Sequence, residues 1–131
     1  MPAPQDENGF TILLLGQEAV SDPRICSALA GLPWPLQLVE SESDLRIALR
    51  TAPAGCVVAH VEDPRAGLRL HADLRAISGD WLLIMLTPRT GIQAAVSALK
   101  FGAHDLIEMP IVERVLRERV ASAMRSLENP Q

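Results

Sequence analysis

Cysteine, lysine and aromatic residues are scarce in this chain. Its 131 residues include two cysteines, one lysine and no tyrosine, and only 3% are aromatic. Cys26 and Cys56 are too few for a disulfide framework and lack the C-x-x-C spacing of a redox or zinc motif, so we expect both thiols to be reduced. The three histidines stand far apart in the sequence, which gives no zinc-finger spacing, and we expect no bound metal and no cofactor.

Long hydrophobic runs and an excess of positive charge are also missing. The longest apolar run, Trp81–Leu86, has six residues, whereas a membrane-spanning helix needs about 20. The polar N-terminus lacks the basic and apolar regions of an export signal, so we expect a cytoplasmic location. Twelve basic and sixteen acidic residues give a net charge of −4, which disfavours nucleic acid as a direct partner.

The composition that remains is globular, with 48% hydrophobic and 21% charged residues. We expect a disordered tail over residues 1–9, a single domain over 10–127, and a loose end or the start of a linker over 128–131. No glycine-rich dinucleotide motif, phosphate-binding loop or Ser-His-Asp set can be placed in the chain, so we expect no enzymatic activity. A small-molecule sensor on the same fold is the weakest alternative.

Apolar runs alternate with amphipathic segments five times along the chain. Strands are predicted over 10–15, 36–39, 55–60, 81–87 and 105–108, each followed by a helix. Strands that read as continuous apolar runs are typical of a parallel sheet covered by helices on both faces. We therefore predict a flavodoxin-like (βα)5 doubly wound α/β fold with five parallel strands in the order 2-1-3-4-5. In the last helix, the predicted core stripe is Val112, Val115, Leu116, Val120, Met124 and Leu127.

Binding sites in such sheets lie beyond the carboxyl ends of the strands, where the strand order reverses between strands one and three. Candidate site residues therefore follow the ends of the predicted strands. They are Gly16, Gln17, Glu18, His60, Glu62, Thr87, Pro88, Met109 and Pro110.

Three segments resemble receiver domains of response regulators, of the CheY-like and particularly the FixJ-like kind. LTPRTGIQAAVSALKFGAHDLIEMP resembles the family's fourth strand to fifth loop. GCVVAHVEDPRAG resembles the segment around the phospho-acceptor, and ILLLGQEAV resembles strand one with its acidic turn. The resemblance spans about residues 10–127 and implies a signalling domain that takes a phosphoryl group on an aspartate.

The phosphorylation chemistry of that family is depleted here. The resemblance places His60 at the acceptor position and Gly16 and Gln17 at the positions of the two Mg²⁺-binding acids, with Glu18 next. Mg²⁺ prefers carboxylate and water oxygens in octahedral geometry, which these residues do not supply.

Further positions of the same family pattern have also changed. Met109 stands at the lysine position, and Leu106 stands where a strand-five aromatic usually follows the switch. Thr87 is retained, and so is Pro110, which the resemblance predicts to follow a cis peptide bond. Lys100 is the chain's single lysine and is too distant in sequence to replace the missing one by a short slip.

Two more residues work against an incoming phosphoryl group. Pro88 follows Thr87 and has no N–H to donate, and the Glu62 carboxylate would repel phosphate if it pointed inward. We therefore predict a pseudo-receiver, in which aspartate phosphorylation at the usual position has been abolished.

Alternatives stay open at this edge. His60 could itself be phosphorylated or could bind a metal ion with Glu18, and Asp63 could be a displaced acceptor. We favour a partly buried His60 that is hydrogen-bonded at the strand end, because no general base, anion-binding lysine or second metal ligand is evident. Asp63 precedes a proline and is typical of a turn residue.

The resemblance also implies an interaction surface, formed by the fourth helix, the fifth strand and the last helix. We expect a homodimer through this surface, with two-fold symmetry, or docking onto a signalling protein or a fused output domain. The expected interface residues are Ala94, Ala95, Ala98, Lys100, Asp105 and Arg119, of which the last three could form pairs across the subunits.

Overall fold

A computed structural model describes residues 9–51, 54–62, 64–77, 80–88, 92–100 and 102–128. Most of the predicted N-terminal tail, Asp63 and residues 129–131 lie outside the described residues. The described residues contain all the strands and helices that the sequence pattern predicts, together with one additional short helix.

The strands form one parallel sheet in the predicted order, β2-β1-β3-β4-β5. Their bounds are β1 (Phe10–Leu15), β2 (Leu36–Val39), β3 (Ala54–His60), β4 (Trp81–Thr87) and β5 (Asp105–Glu108). All four pairings are parallel, which confirms the flavodoxin-like prediction.

Helices follow the strands as α1 (Gln17–Val20), α2 (Pro23–Ala30), α3 (Glu42–Leu49), α4 (Pro64–Ile77), α5 (Ile92–Lys100) and α6 (Glu113–Glu128). Two helices begin with side-chain caps: Asp22 accepts a hydrogen bond from the Arg24 N–H at 2.9 Å, and Ser41 accepts one from the Asp44 N–H at 3.1 Å. The short helix α1 was not predicted from the sequence. It begins directly after Gly16, whose positive φ of 117° turns the chain at the end of β1.

Alternate residues of the central strands point into two cores, one on each face of the sheet. Ile12 and Leu14 of β1 pack with α2 and α6, whereas Leu13 and Leu15 pack with α3 and α4. This two-sided burial explains why the strands read as continuous apolar runs.

The predicted core stripe of the last helix is correct at Leu116, Val120 and Met124, which are fully buried. It is wrong at Val112, which is 57% exposed. Val112 lies before α6 begins and accepts the Leu116 N–H through its carbonyl, so its side chain does not follow the buried face of the helix. Within the described ranges, no helix is both long enough and apolar enough to span a membrane.

Candidate functional site

The carboxyl ends of β1, β3 and β4 bring His60, Gly16 and Thr87 to one edge of the sheet. His60 is the last residue of β3 and its register partner in β4 is Leu86, so Thr87 follows immediately beside it. The Gly16 N–H donates a hydrogen bond of 3.0 Å to the Val39 carbonyl, which ties the end of β1 to β2. A Cβ at Gly16 would lie 3.5 Å from His60 Cβ, which is ordinary contact. Its φ of 117° is therefore the feature that favours glycine there.

The His60 side chain is 9% exposed and faces two acidic residues. Its Nε2 lies 3.4 Å from Oε2 of Glu18 and 4.0 Å from Oε1 of Glu62. The two carboxylates are on the outside of this cluster, with exposures of 72% and 70%. The sequence suggests Glu18 as a partner of His60 and Glu62 as a charge that repels phosphate. The structure adds Glu62 to the same cluster, with one ligand atom of each residue within 4.8 Å of the others.

Thr87 is fully buried, and its hydroxyl is engaged locally. Oγ1 donates a hydrogen bond of 3.1 Å to the Pro88 carbonyl, while the Thr87 carbonyl accepts the Met109 N–H at 2.8 Å. The Thr87 hydroxyl therefore donates to a carbonyl of the loop that follows β4.

The Met109 side chain is half-buried and packs against the core that α2 and α6 cover. It thus contributes an apolar thioether where the resemblance has a lysine ammonium. The Met109–Pro110 peptide bond is cis, which confirms the prediction made for Pro110.

The predicted interface residues lie on α5, β5 and α6. Ala94, Ala95, Ala98 and Lys100 belong to α5, and Lys100 is exposed at its C-terminal end. Arg119 Nη1 contacts both carboxylate oxygens of Asp105 at 2.8 Å. From the sequence, Asp105 and Arg119 are two of three residues that could pair across subunits, whereas the structure pairs them with each other within one chain.

The β5 residues Asp105 and Leu106 also have their partners within this chain. Asp105 Oδ1 accepts a second hydrogen bond, from the Leu106 N–H at 2.8 Å. The half-buried Leu106 packs against the core on the α3 and α4 side. An aliphatic side chain therefore fills the position of the switch aromatic.

The donor set at this edge does not match the oxygen-rich octahedral set that Mg²⁺ requires. Its most buried donor is an imidazole, Gln17 is exposed at the start of α1, and Gly16 offers no side chain. The site therefore combines one nearly buried imidazole with two exposed carboxylates. That arrangement favours an ion pair, or a metal ion that accepts nitrogen ligands, over the binding of a phosphate.

No protein-family model matches the chain. The transcriptional regulatory protein FixJ of Bradyrhizobium diazoefficiens is 32% identical over 75 residues, or 56% of this chain. The chain covers 37% of the length of FixJ in that match.

Solved structures of response regulators resemble the chain over most of its length. A response regulator from Thermotoga maritima has a TM-score of 0.78 and 20% identity, covering 89% of this chain and 98% of that one. An atypical orphan response regulator, described as having a phosphorylation-independent regulatory mechanism, has a TM-score of 0.73 and 17% identity, covering 88% and 96% of the two chains. At these identities the likeness establishes the fold alone, which is the fold of response-regulator receiver domains.

Proposed function

We propose that this chain, with its receiver fold, is a signalling module of bacterial two-component-type regulation that works without aspartate phosphorylation. The observation that carries the proposal is His60, a nearly buried imidazole at the end of β3 where the resemblance expects the acceptor carboxylate. No enzymatic step is assigned to the domain.

The surroundings of His60 support the same conclusion. Glu18 and Glu62 place two negative charges next to the imidazole, which disfavours the approach of a phosphate dianion. Pro88 has no N–H to donate to the phosphate, and Met109 is a half-buried, uncharged side chain that packs against the core. Phosphorylation of His60 is therefore disfavoured by its burial as well as by its neighbours.

A receiver fold that has lost its phosphorylation chemistry still presents a surface, and we place the activity of this module there. The α5–β5–α6 surface, defined by the exposed parts of these three elements, carries exposed apolar side chains at Val96 and Leu99. We propose that it mediates a two-fold homodimer, or docks a signalling partner or an output domain fused in a longer chain. The net charge of −4 favours a protein partner over nucleic acid.

The direct test is to incubate the purified protein with Mg²⁺ and acetyl phosphate and to record its intact mass. A standard receiver domain with an acceptor aspartate, labelled in parallel, serves as the positive control for the reagent. We expect the control to gain a phosphoryl group and this chain to gain none. A stoichiometric adduct would overturn the proposal, and peptide mapping on His60→Gln and Asp63→Asn variants would then locate the acceptor.

A further inference from the structure

We propose that Glu18, His60 and Glu62 form a binding site for a divalent transition-metal ion, of which Zn²⁺ is the best match. The site goes beyond the proposed function and does not rest on it, because it needs only the folded chain.

The spacing of the three side chains supports this proposal. Two ligands held about 2.1 Å from a tetrahedral Zn²⁺ lie about 3.4 Å apart. His60 Nε2 and Glu18 Oε2 are separated by 3.4 Å, so an ion can bridge them as they stand. Glu62 Oε1 lies 4.0 Å from the same nitrogen, and its side chain is 70% exposed to solvent. A small rotation therefore completes a three-ligand set, with water in the fourth position.

The burial of His60 supports a metal site independently of the spacing between the three side chains. Its side chain is 9% exposed and directs Nε2 towards the two carboxylates, yet neither contact is a short hydrogen bond. Burying an imidazole nitrogen costs free energy unless the nitrogen has a binding partner. A metal ion would be such a partner for His60 and would also bind both carboxylates. Two carboxylates and an imidazole sum to −2 when the imidazole is neutral, which balances a divalent cation.

The chemistry of the donors selects the ion. Imidazole nitrogen suits Zn²⁺ and neighbouring transition metals, whereas Mg²⁺ demands oxygen ligands and retains its waters. The imidazole of His60, which disfavours Mg²⁺ at this edge of the sheet, therefore favours a transition-metal ion. The site is formed by the ends of β1 and β3 through α1 and the loop after β3, so bound metal would fix these loops relative to each other.

The test is isothermal titration of the full untagged chain with ZnCl₂, repeated in the presence of excess MgCl₂. We expect one equivalent of Zn²⁺ to bind and Mg²⁺ not to compete. His60→Gln, Glu18→Gln and Glu62→Gln should each weaken binding about tenfold or more. Because the two glutamates are exposed, their variants should fold normally, which thermal unfolding without metal verifies.

Two matched controls separate this site from other ligands in the chain. His104→Gln changes an exposed histidine that precedes β5, and Cys26→Ser removes the half-buried thiol; neither should alter Zn²⁺ affinity. With Co²⁺ in place of Zn²⁺, the visible spectrum should lack thiolate charge-transfer bands. Absence of binding, binding that survives all three site substitutions, or loss of binding in Cys26→Ser would each overturn the proposal.

Discussion

The indole of Trp34 is tied to the end of the last helix, because its Nε1 donates a hydrogen bond of 2.9 Å to Oε2 of Glu128, 94 residues further along the chain. Trp34 is 7% exposed and belongs to the core that α2 and α6 share. This bond anchors the end of α6 to the turn between α2 and β2.

Removing the acceptor should measure the contribution of this bond. Glu128→Ala leaves a nearly buried N–H without its partner, and we expect the free energy of unfolding to fall by about 1 kcal/mol. Urea unfolding followed by circular dichroism measures the loss. Glu118→Ala, at an exposed position of the same helix, is the matched control and should change stability by less than about 0.5 kcal/mol. Equal effects of the two substitutions would show that the Trp34 bond contributes nothing.

Gly55 is a position where β1 and β3 approach too closely for a side chain. A Cβ there would overlap the carbonyl oxygen of Thr11 and lie 2.8 Å from the Trp81 ring. We expect Gly55→Ala to lower the free energy of unfolding by about 2–3 kcal/mol, since a backbone carbonyl in a central sheet cannot turn aside.

Gly31→Ala provides the comparison for Gly55. A Cβ at Gly31 would meet its nearest atoms at 3.7 Å, and its φ of −77° suits any residue. We expect this substitution to be neutral or slightly stabilising in the same urea experiment. If Gly55→Ala were as mild, the close approach of the strands would be refuted.

The sheet could be predicted from the sequence because strands that are buried on both faces consist mostly of apolar residues. Phe10–Leu15 and Trp81–Thr87 read as apolar runs, and their bounds agree with the structure. The site was predicted as a set of positions, since strand ends of a parallel sheet share an edge. Its internal geometry was not predicted, because the convergence of Glu62 on His60 depends on how the loop after β3 turns.

Features that depend on local turns or on contacts between distant residues could not be predicted from the sequence either. The short helix α1 depends on the turn that the positive φ of Gly16 makes at the end of β1. The side chain of Val112 is exposed because α6 begins only after it. The Trp34–Glu128 hydrogen bond could not be predicted because the two residues are 94 positions apart in the sequence.

Cys56 should make stability fall with rising pH. The thiol is fully buried in β3, and burial, reinforced by the negative charge of Asp105, raises the pKa of Cys56 far above its ordinary value of about 8.5. The native state therefore keeps the thiol protonated, while the unfolded state releases the proton. The stabilising contribution is complete below about pH 8.5 and declines by about 1.4 kcal/mol per pH unit above it.

Urea unfolding between about pH 7.5 and about pH 10 measures this decline, and Cys56→Ala is the control that should lack it. The background is small, since the chain has no tyrosine and one lysine. Identical pH profiles for the two proteins would contradict the prediction. We also expect a thiol reagent to modify the native protein at Cys26 and to reach Cys56 only after unfolding, because Cys26 is partly exposed whereas Cys56 is buried.

The α5–β5–α6 surface should control self-association. Val96 and Leu99 are 55% and 44% exposed and lie three residues apart, so they share one side of α5. Replacing both with glutamate would bury unpaired negative charges in a dimer, and we expect the dimer dissociation constant to rise at least about tenfold. Sedimentation equilibrium over a range of concentrations measures it. Ile47→Glu, at a 62% exposed position on α3, adds the same charge away from this surface and should leave the dimer intact. A chain that is monomeric at every concentration would refute dimerisation, and dissociation by Ile47→Glu alone would move the interface to α3.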